Sequence, residues 1–205
     1  MKFIVFEGLE GSGKTTQLRL LAERLKTLGK PYLATRQPSD NPVGALMRTS
    51  TDGFLTLENE TMALLVAADR YQHVYGEISP ALDAGKYVLC DRYYFSSFAC
   101  QGIEPGVFAR IAAYNALVMA YCRPHITFFL DTAPEECMRR ITANRDYGGL
   151  YDSLSQLEAI RQRYGMIFED LKETNPTIVI DGNKDEGRIA TEIAAHLGLE
   201  QNVEE

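Results

Sequence analysis

The chain has no apolar run long enough to cross a membrane. Its first apolar stretch, Phe3-Ile4-Val5-Phe6, is too short for a secretory leader and is followed at once by Glu7. Cysteine is scarce: Cys90, Cys100, Cys122 and Cys137 form no C-x-x-C pair. They read as reduced thiols, so a cytoplasmic location is expected. The three histidines are far apart, which spells out no metal cage. Positive charge is also in deficit, with 21 Lys and Arg against 28 Asp and Glu and a formal net charge of -7. That balance argues against a nucleic-acid polymer or an anionic membrane surface as partner. It leaves room for a small anionic substrate, provided the cations gather at one site. Internal repeats and low-complexity tracts are absent as well.

What is present suits one domain spanning residues 1–205. Its 205 residues, 45% of them hydrophobic, can bury a sizeable core and still supply a short lid. Five short β-rich runs alternate with longer helical patterns: Phe3–Phe6, Tyr32–Thr35, Tyr87–Cys90, Ile126–Leu130 and Thr177–Ile180. Their near-continuous apolarity predicts strands buried on both faces. The expected fold is therefore α/β, a five-stranded parallel sheet with helices on both faces. Helical patterns cover residues 58–84, 106–122, 134–144, 153–172 and 186–197. Two segments break the rhythm, Gln37 to Pro42 after the second strand and Arg145 to Leu150 between two helices. Open α/β sheets bind ligands at the carboxyl ends of their strands, so these are candidate substrate-gripping and lid elements, the lid spanning about residues 140–152.

The run Gly8-Leu9-Glu10-Gly11-Ser12-Gly13-Lys14-Thr15 is a complete G-x-x-x-x-G-K-[ST] loop between an apolar run and a helical pattern. That context makes it a phosphate site. Its glycines let backbone N–H groups turn toward an anion, and the following helix N-terminus adds partial positive charge. Lys14 would reach the β- and γ-phosphates, and the Thr15 hydroxyl would hold Mg²⁺. The third strand ends in Asp91-Arg92, where Asp91 could hold Mg²⁺ and Arg92 could fork onto a phosphate. Alone, that pair would read as a surface ion pair. Arg36 ends the second strand, so Lys14, Arg36 and Arg92 point at one crevice. Such a cluster suits two anionic substrates facing each other in phosphoryl transfer.

Four segments, Gly8–Thr16, Thr35-Arg36-Gln37-Pro38, Ala67-Ala68-Asp69-Arg70-Tyr71-Gln72-His73 and Asp91-Arg92-Tyr93-Tyr94-Phe95-Ser96-Ser97-Phe98-Ala99-Cys100-Gln101-Gly102, resemble the thymidylate kinase family, in its bacterial branch. The layout is similar over nearly the whole chain. The resemblance implies ATP-dependent phosphorylation of dTMP to dTDP, with Mg²⁺, in a homodimer. It implies an ATP site made of Gly8, Gly11, Ser12, Gly13, Lys14, Thr15 and Thr16, with Asn183 in a loop near the adenine. It implies an acceptor site in which Arg36 and Arg92 clamp the monophosphate and Glu10 approaches the sugar 3′-hydroxyl or the phosphate shell. Arg70 would read the base, Ser97 and Gln101 would line its pocket, and Tyr151 would belong to the same side. The phosphate loop carries no arginine, so the catalytic arginine is assigned to the lid, with Arg145 and Arg140 matching best and Arg139 as substitute.

Three departures from that family stand in the acceptor region. The second strand runs into Gln37-Pro38-Ser39-Asp40 where the family has glutamate, proline and glycines. Val66 replaces the phenylalanine that stacks on the base, and Cys100 replaces an aromatic beside the sugar. Either Phe98 or Tyr94 compensates, or the pocket accepts another base. The alternative function is thus a kinase for another deoxypyrimidine monophosphate, such as dUMP or a 5-modified dUMP. A slow nucleotide-binding switch would have no need of the paired cations Arg36 and Arg92. Arg161 and Arg163 read as a solvated helical face.

Overall fold

The computed structural model describes residues 2–51, 53–101, 106–144 and 153–200. Its strands are β1 (Lys2–Gly8), β2 (Tyr32–Arg36), β3 (Tyr87–Asp91), β4 (Ile126–Asp131) and β5 (Thr177–Asp181). They form one sheet in the order β2-β3-β1-β4-β5, with every neighbouring pair parallel. Each strand runs past its apolar stretch, because the polar residues at its carboxyl end still pair. Arg36 aligns with Asp91, and Asp131 with Asp181. The chain leaves β1 for β2 on one side of the sheet's centre and later returns to β4 on the other. The carboxyl end of β1 is therefore a topological switch point, where such sheets open a ligand crevice.

The helices are α1 (Lys14–Thr27), α2 (Pro42–Thr51), α3 (Asn59–His73), α4 (Ser79–Asp83), α5 (Tyr94–Gln101), α6 (Val107–Tyr121), α7 (Pro134–Asn144), α8 (Leu154–Leu171) and α9 (Glu186–His196). Side chains alternate across a strand, and β1 uses both faces. Ile4 and Phe6 pack with Leu18, Leu21 and Leu25 of α1 and Ile189 and Ile193 of α9. Phe3 and Val5 pack on the opposite side with Phe95 and Phe98 of α5, Ile111 and Val118 of α6, and Leu157, Ile160 and Tyr164 of α8. Burying each such side chain is worth about 1.5–3 kcal/mol, so two layers of helices flank a sheet that is itself core.

The helix expected over residues 58–84 is divided. Val74–Ile78 forms one π-helical turn between α3 and α4. Pro80 supplies the reason, since it has no N–H and its ring would clash with the carbonyl four residues back; the wider turn accommodates it. Two helices lie where sequence periodicity showed none. α2 starts on Pro42, and Asn41 Oδ1 accepts from Val43 N at 2.8 Å and Gly44 N at 3.0 Å, an Asn-Pro start signal. α5 is only eight residues long and mostly buried, which leaves it no amphipathic stripe. Arg161 is exposed, as expected of a solvated face, whereas Arg163 is half-buried, and both make bonds the sequence did not show. Arg161 forks onto Asp131 with contacts of 2.6 and 2.8 Å, and Arg163 Nη1 donates to Ala99 O at 2.7 Å. Both tie α8 to its neighbours, at the end of β4 and the end of α5.

One charge lies inside this frame. Glu7, the penultimate residue of β1 before the glycine loop, has no solvent exposure. Its Oε1 accepts from the backbone N–H of Tyr93 at 2.8 Å and of Ser96 at 3.3 Å. Its Oε2 accepts from the hydroxyls of Ser96 at 2.7 Å and Tyr164 at 2.8 Å. One carboxylate thus joins β1, the turn after β3, α5 and α8. Truncation would leave these donors facing a cavity, and removing one member of a buried charged set typically costs about 3–5 kcal/mol. Glu7→Ala is expected to lower stability in urea denaturation by about that much, whereas exposed Glu23→Ala should change it by less than about 0.5 kcal/mol.

Candidate active site

At the switch point β1 ends in Gly8 and α1 begins at Lys14. Gly11 adopts φ +76°, and a Cβ there would lie 2.6 Å from the carbonyl of Cys137 in α7. Only glycine lets α7 lie this close to the loop. Lys14 is 6% exposed and its Nζ donates to Leu9 O at 2.6 Å. Burial, aided by the like charge of Arg92, pulls its pKa down to about 8, against the pull of Asp91, Glu7 and Glu10. Thr15 Oγ1 donates to Asp91 Oδ2 at 2.6 Å. The other Asp91 oxygen, Oδ1, is buried with no hydrogen-bond partner among the described residues. A hydroxyl and an unpartnered carboxylate oxygen side by side are the donor set of a hard, oxygen-seeking divalent cation, so Mg²⁺ fits here. Together with phosphate oxygens they would hold it.

Arg92 follows with φ 68°, a left-handed conformation rare for a residue with a side chain. Its N–H extends the sheet by donating to Phe6 O at 2.9 Å, and the next N–H, that of Tyr93, is taken by Glu7. These two bonds hold the strained residue in place. Its guanidinium reaches Ser96 Oγ at 3.3 Å and borders a cleft of about 1700 Å³. The same cleft is bordered by Glu10, Gly11, Ser12, Gly13, Lys14, Thr15, Thr16 and Asp91 at one end and by Val66, Arg70, Ser97, Cys100 and Gln101 at the other. A nucleotide at each end would meet over Lys14 and Arg92.

Arg36 departs from expectation. It lies at the strand end, but its side chain is 59% exposed and pairs with Asp40 at 2.9 Å. It does not border the cleft; Gln37, Pro38 and Arg48 do so there. The reason is local: Asp40 stands four residues on, in place of a glycine. Arg70 is 2% exposed and held by four bonds. Nε donates to Gln37 Oε1 at 2.8 Å, Nη2 to Tyr93 O at 3.2 Å and Ser97 Oγ at 3.0 Å, and Nη1 to Asn115 Oδ1. Phe98 and Tyr94 do not replace the missing aromatic walls. Phe98 packs against Phe108 with ring centroids 4.6 Å apart and tilted, and the Tyr94 hydroxyl is turned to Asn175. Val66 and Cys100 remain the cleft's own surface.

At the donor end, Arg140 Nε donates to Glu136 at 2.7 Å, while its Nη atoms reach Gly11 O at 3.3 Å and Gly182 O at 3.4 Å. Arg139 forks onto the same carboxylate and also borders the cleft. Asn183 does not border it. Its Oδ1 accepts from Ala133 N at 3.1 Å and its Nδ2 donates to Asp181 at 2.9 Å, so it clasps two loops while Gly182 and Lys184 form the wall. Arg145 and Tyr151 lie outside the described residues. Sequence reasoning missed Glu7, Arg48 and Asn115. Only Glu7 had a signal, as a lone acid between an apolar run and a glycine loop.

A parallel sheet with a lysine-bearing glycine loop at its switch point, facing one cleft of about 1700 Å³, is the arrangement of phosphate-loop nucleotide kinases. A family model described as thymidylate kinase matches residues 6–193. The chain is 37% identical to the thymidylate kinase of Syntrophotalea carbinolica over 88% of each chain. It is 35% identical to the putative thymidylate kinase of Treponema pallidum, covering 95% of this chain and 94% of that one. The thymidylate kinase of Halothermothrix orenii is 36% identical over 93% of each. The chain belongs to the thymidylate kinase family.

The lowered pKa of Lys14 sets a pH dependence. In the free protein the ammonium is lost as pH rises through about 8. Bound phosphates favour the charged form, so triphosphate affinity should fall with rising pH from about 8 upward. Titration calorimetry with a non-hydrolysable ATP analogue between about pH 7 and 9.5 is expected to show that fall in the native protein and a flat profile in Lys14→Met.

Proposed function

We propose that the protein transfers the γ-phosphoryl group of ATP to a phosphate oxygen of dTMP, giving ADP and dTDP. The observation that carries this reading is the single cleft joining Lys14 and the glycine loop to Arg70, Ser97 and Gln101. The loop N–H groups and Lys14 bind the donor phosphates, and Lys14 gains contact as charge moves onto the transferring group. Arg92 holds the acceptor phosphate in line, and Glu10 lies at the junction of the two subsites. Arg36 joins the clamp when the acceptor phosphate displaces Asp40. Thr15 and Asp91 hold Mg²⁺, which when bound screens the phosphate charges. Arg140 already lies against the loop carbonyl of Gly11, and Arg145 completes the cationic surround from the lid.

Base preference follows from donor and acceptor arithmetic. A guanidinium has five N–H groups, and four of those of Arg70 are engaged, which leaves one donor for a ligand. Gln101 contributes a buried amide oxygen without a partner among the described residues. One donor and one acceptor match the 4-keto and N3–H edge of thymine or uracil and mismatch the 4-amino and N3 edge of cytosine. With Mg²⁺ and ATP, dTMP and dUMP are expected to be substrates and dCMP a poor one, by about 10⁴-fold at most. The check is a panel of dTMP, dUMP, dCMP, dGMP and 5-hydroxymethyl-dUMP at matched concentration. Preference for dCMP or a purine would overturn the thymidylate reading, and strong preference for the 5-modified nucleotide would assign Val66 and Cys100 to its substituent. Lys14→Met, if folded, should lose at least roughly 10²-fold in kcat.

We further propose a cytoplasmic homodimer. Among the described residues no helix is long and apolar enough to cross a membrane, and none of the four cysteines is in a disulfide. α3, α6 and the π turn expose Leu64, Tyr75, Leu117 and Tyr121, with Tyr75 stacked on Tyr121 at 5.0 Å. Such a patch suits an isologous contact with a second copy. Leu117→Glu, 65% exposed in the single chain, should convert a dimer to a monomer in light scattering without loss of fold; a native protein that runs as a monomer would refute the dimer.

A further inference from the structure

The side chain of Gln37 lies between Arg70 and His73, and its orientation is fixed by chemistry. Arg70 Nε–H is a donor at every accessible pH, so the Gln37 atom facing it at 2.8 Å is the amide oxygen. The amide nitrogen then faces Nδ1 of His73 at 3.2 Å. An NH₂ group only donates, so Nδ1 must accept. The ring is therefore neutral, with its proton on Nε2. That proton is directed at Thr35 Oγ1, 2.8 Å away, and at Glu77 Oε2, 3.1 Å away.

Protonating His73 puts an N–H at Nδ1 against the Gln37 NH₂. Rotating the amide only moves the conflict, since its NH₂ then meets Arg70 Nε–H. No orientation of Gln37 satisfies both neighbours once the ring is charged. The ionisable groups facing His73 among the described residues are Glu77 from the π turn, Asp69 and Arg70 from α3, and Asp40 from the loop after β2. Burial pushes the ring's pKa below its usual value, with Arg70 adding to burial and Glu77 and Asp69 opposing. Neutral His73 is therefore the ordinary state near pH 7, and acid is what disturbs it.

We propose that neutral His73, acting through Gln37, is a positioning residue for Arg70, and that acceptor recognition weakens on acidification because the charged ring breaks this relay. The inference rests on the acceptor site proposed above. Arg70 keeps its charge and its other anchors, so the loss falls on its aim and hence on acceptor KM.

The test compares native protein with Gln37→Glu and His73→Gln, measuring KM and kcat for dTMP and KM for ATP from about pH 8 to 5.5. A glutamate at 37 accepts from both Arg70 and a protonated His73, and a glutamine at 73 cannot be protonated. The dTMP phosphate titrates in the same range in all three proteins, so its effect cancels in the ratio. From the top to the bottom of that range, native KM for dTMP should rise roughly tenfold more than in either variant, while KM for ATP changes alike in all. Nitrogen-15 NMR of ligand-free protein should show His73 with its proton on Nε2, and a higher pKa in Gln37→Glu. Equal acid profiles in all three proteins, or His73 found charged or protonated on Nδ1 near pH 7, would overturn the proposal. The NMR readout needs no substrate, so it stands apart from the acceptor panel.

Discussion

A fully buried carboxylate in the centre of a sheet is costly unless every lone pair is used, and Glu7 meets that condition with four hydrogen bonds. Burial pushes its pKa up, while the charge of Arg92 and the donors on Ser96, Tyr93 and Tyr164 oppose that shift. What the acid holds together matters more than its net energy. It precedes Gly8 directly, so it sets where the phosphate loop leaves the sheet. It also holds the N–H after Arg92, so it sets the turn that puts Arg92 in a left-handed conformation. Through Tyr164 it draws in α8. The phosphate loop that carries Lys14 and the turn that carries Arg92 are thus positioned from one buried point.

The frame of this protein was legible because its signals are local. Continuous apolar runs separated by helical patterns have few solutions other than a parallel sheet wrapped on both faces, and a glycine loop between strand and helix marks where a phosphate group would bind. The acceptor side was legible as residue types but not as geometry. Arg70 could be named from its segment, yet nothing local reveals that Asn115, forty-five residues away, takes one of its N–H groups. Arg36 could be placed at a strand end, yet the direction of its side chain depends on Asp40. Glu7 read as the end of a strand because charge usually marks exposure; its four partners come from three other segments. α5 was invisible because a helix buried nearly all round has no periodicity to show.

The donor end is built differently, by clasps between loops. Asn183 bridges the loop after β4 and the loop after β5, and Arg140 spans the glycine loop and Gly182. Each combines a backbone partner with a carboxylate: Asn183 accepts from Ala133 N and donates to Asp181, and Arg140 reaches the Gly11 and Gly182 carbonyls and pairs with Glu136. The acceptor end instead relies on side chain against side chain, from Arg70 to Gln37, Asn115 and Ser97.

The four engaged donors of Arg70 separate two properties that a binding site usually mixes. On the reading proposed above, hydrogen-bond selectivity resides in the residues that support the arginine, Asn115 behind it and Gln37 at the cleft's border, since they decide which N–H is left over. On the same reading, steric tolerance around the pyrimidine would reside in Val66 and Cys100, which border the cleft and take no part in holding that arginine. Size and polarity can therefore diverge independently: descendants of this chain could widen or narrow the room beside a base while reading the same edge, and a change of edge would require rebuilding the support behind the arginine first.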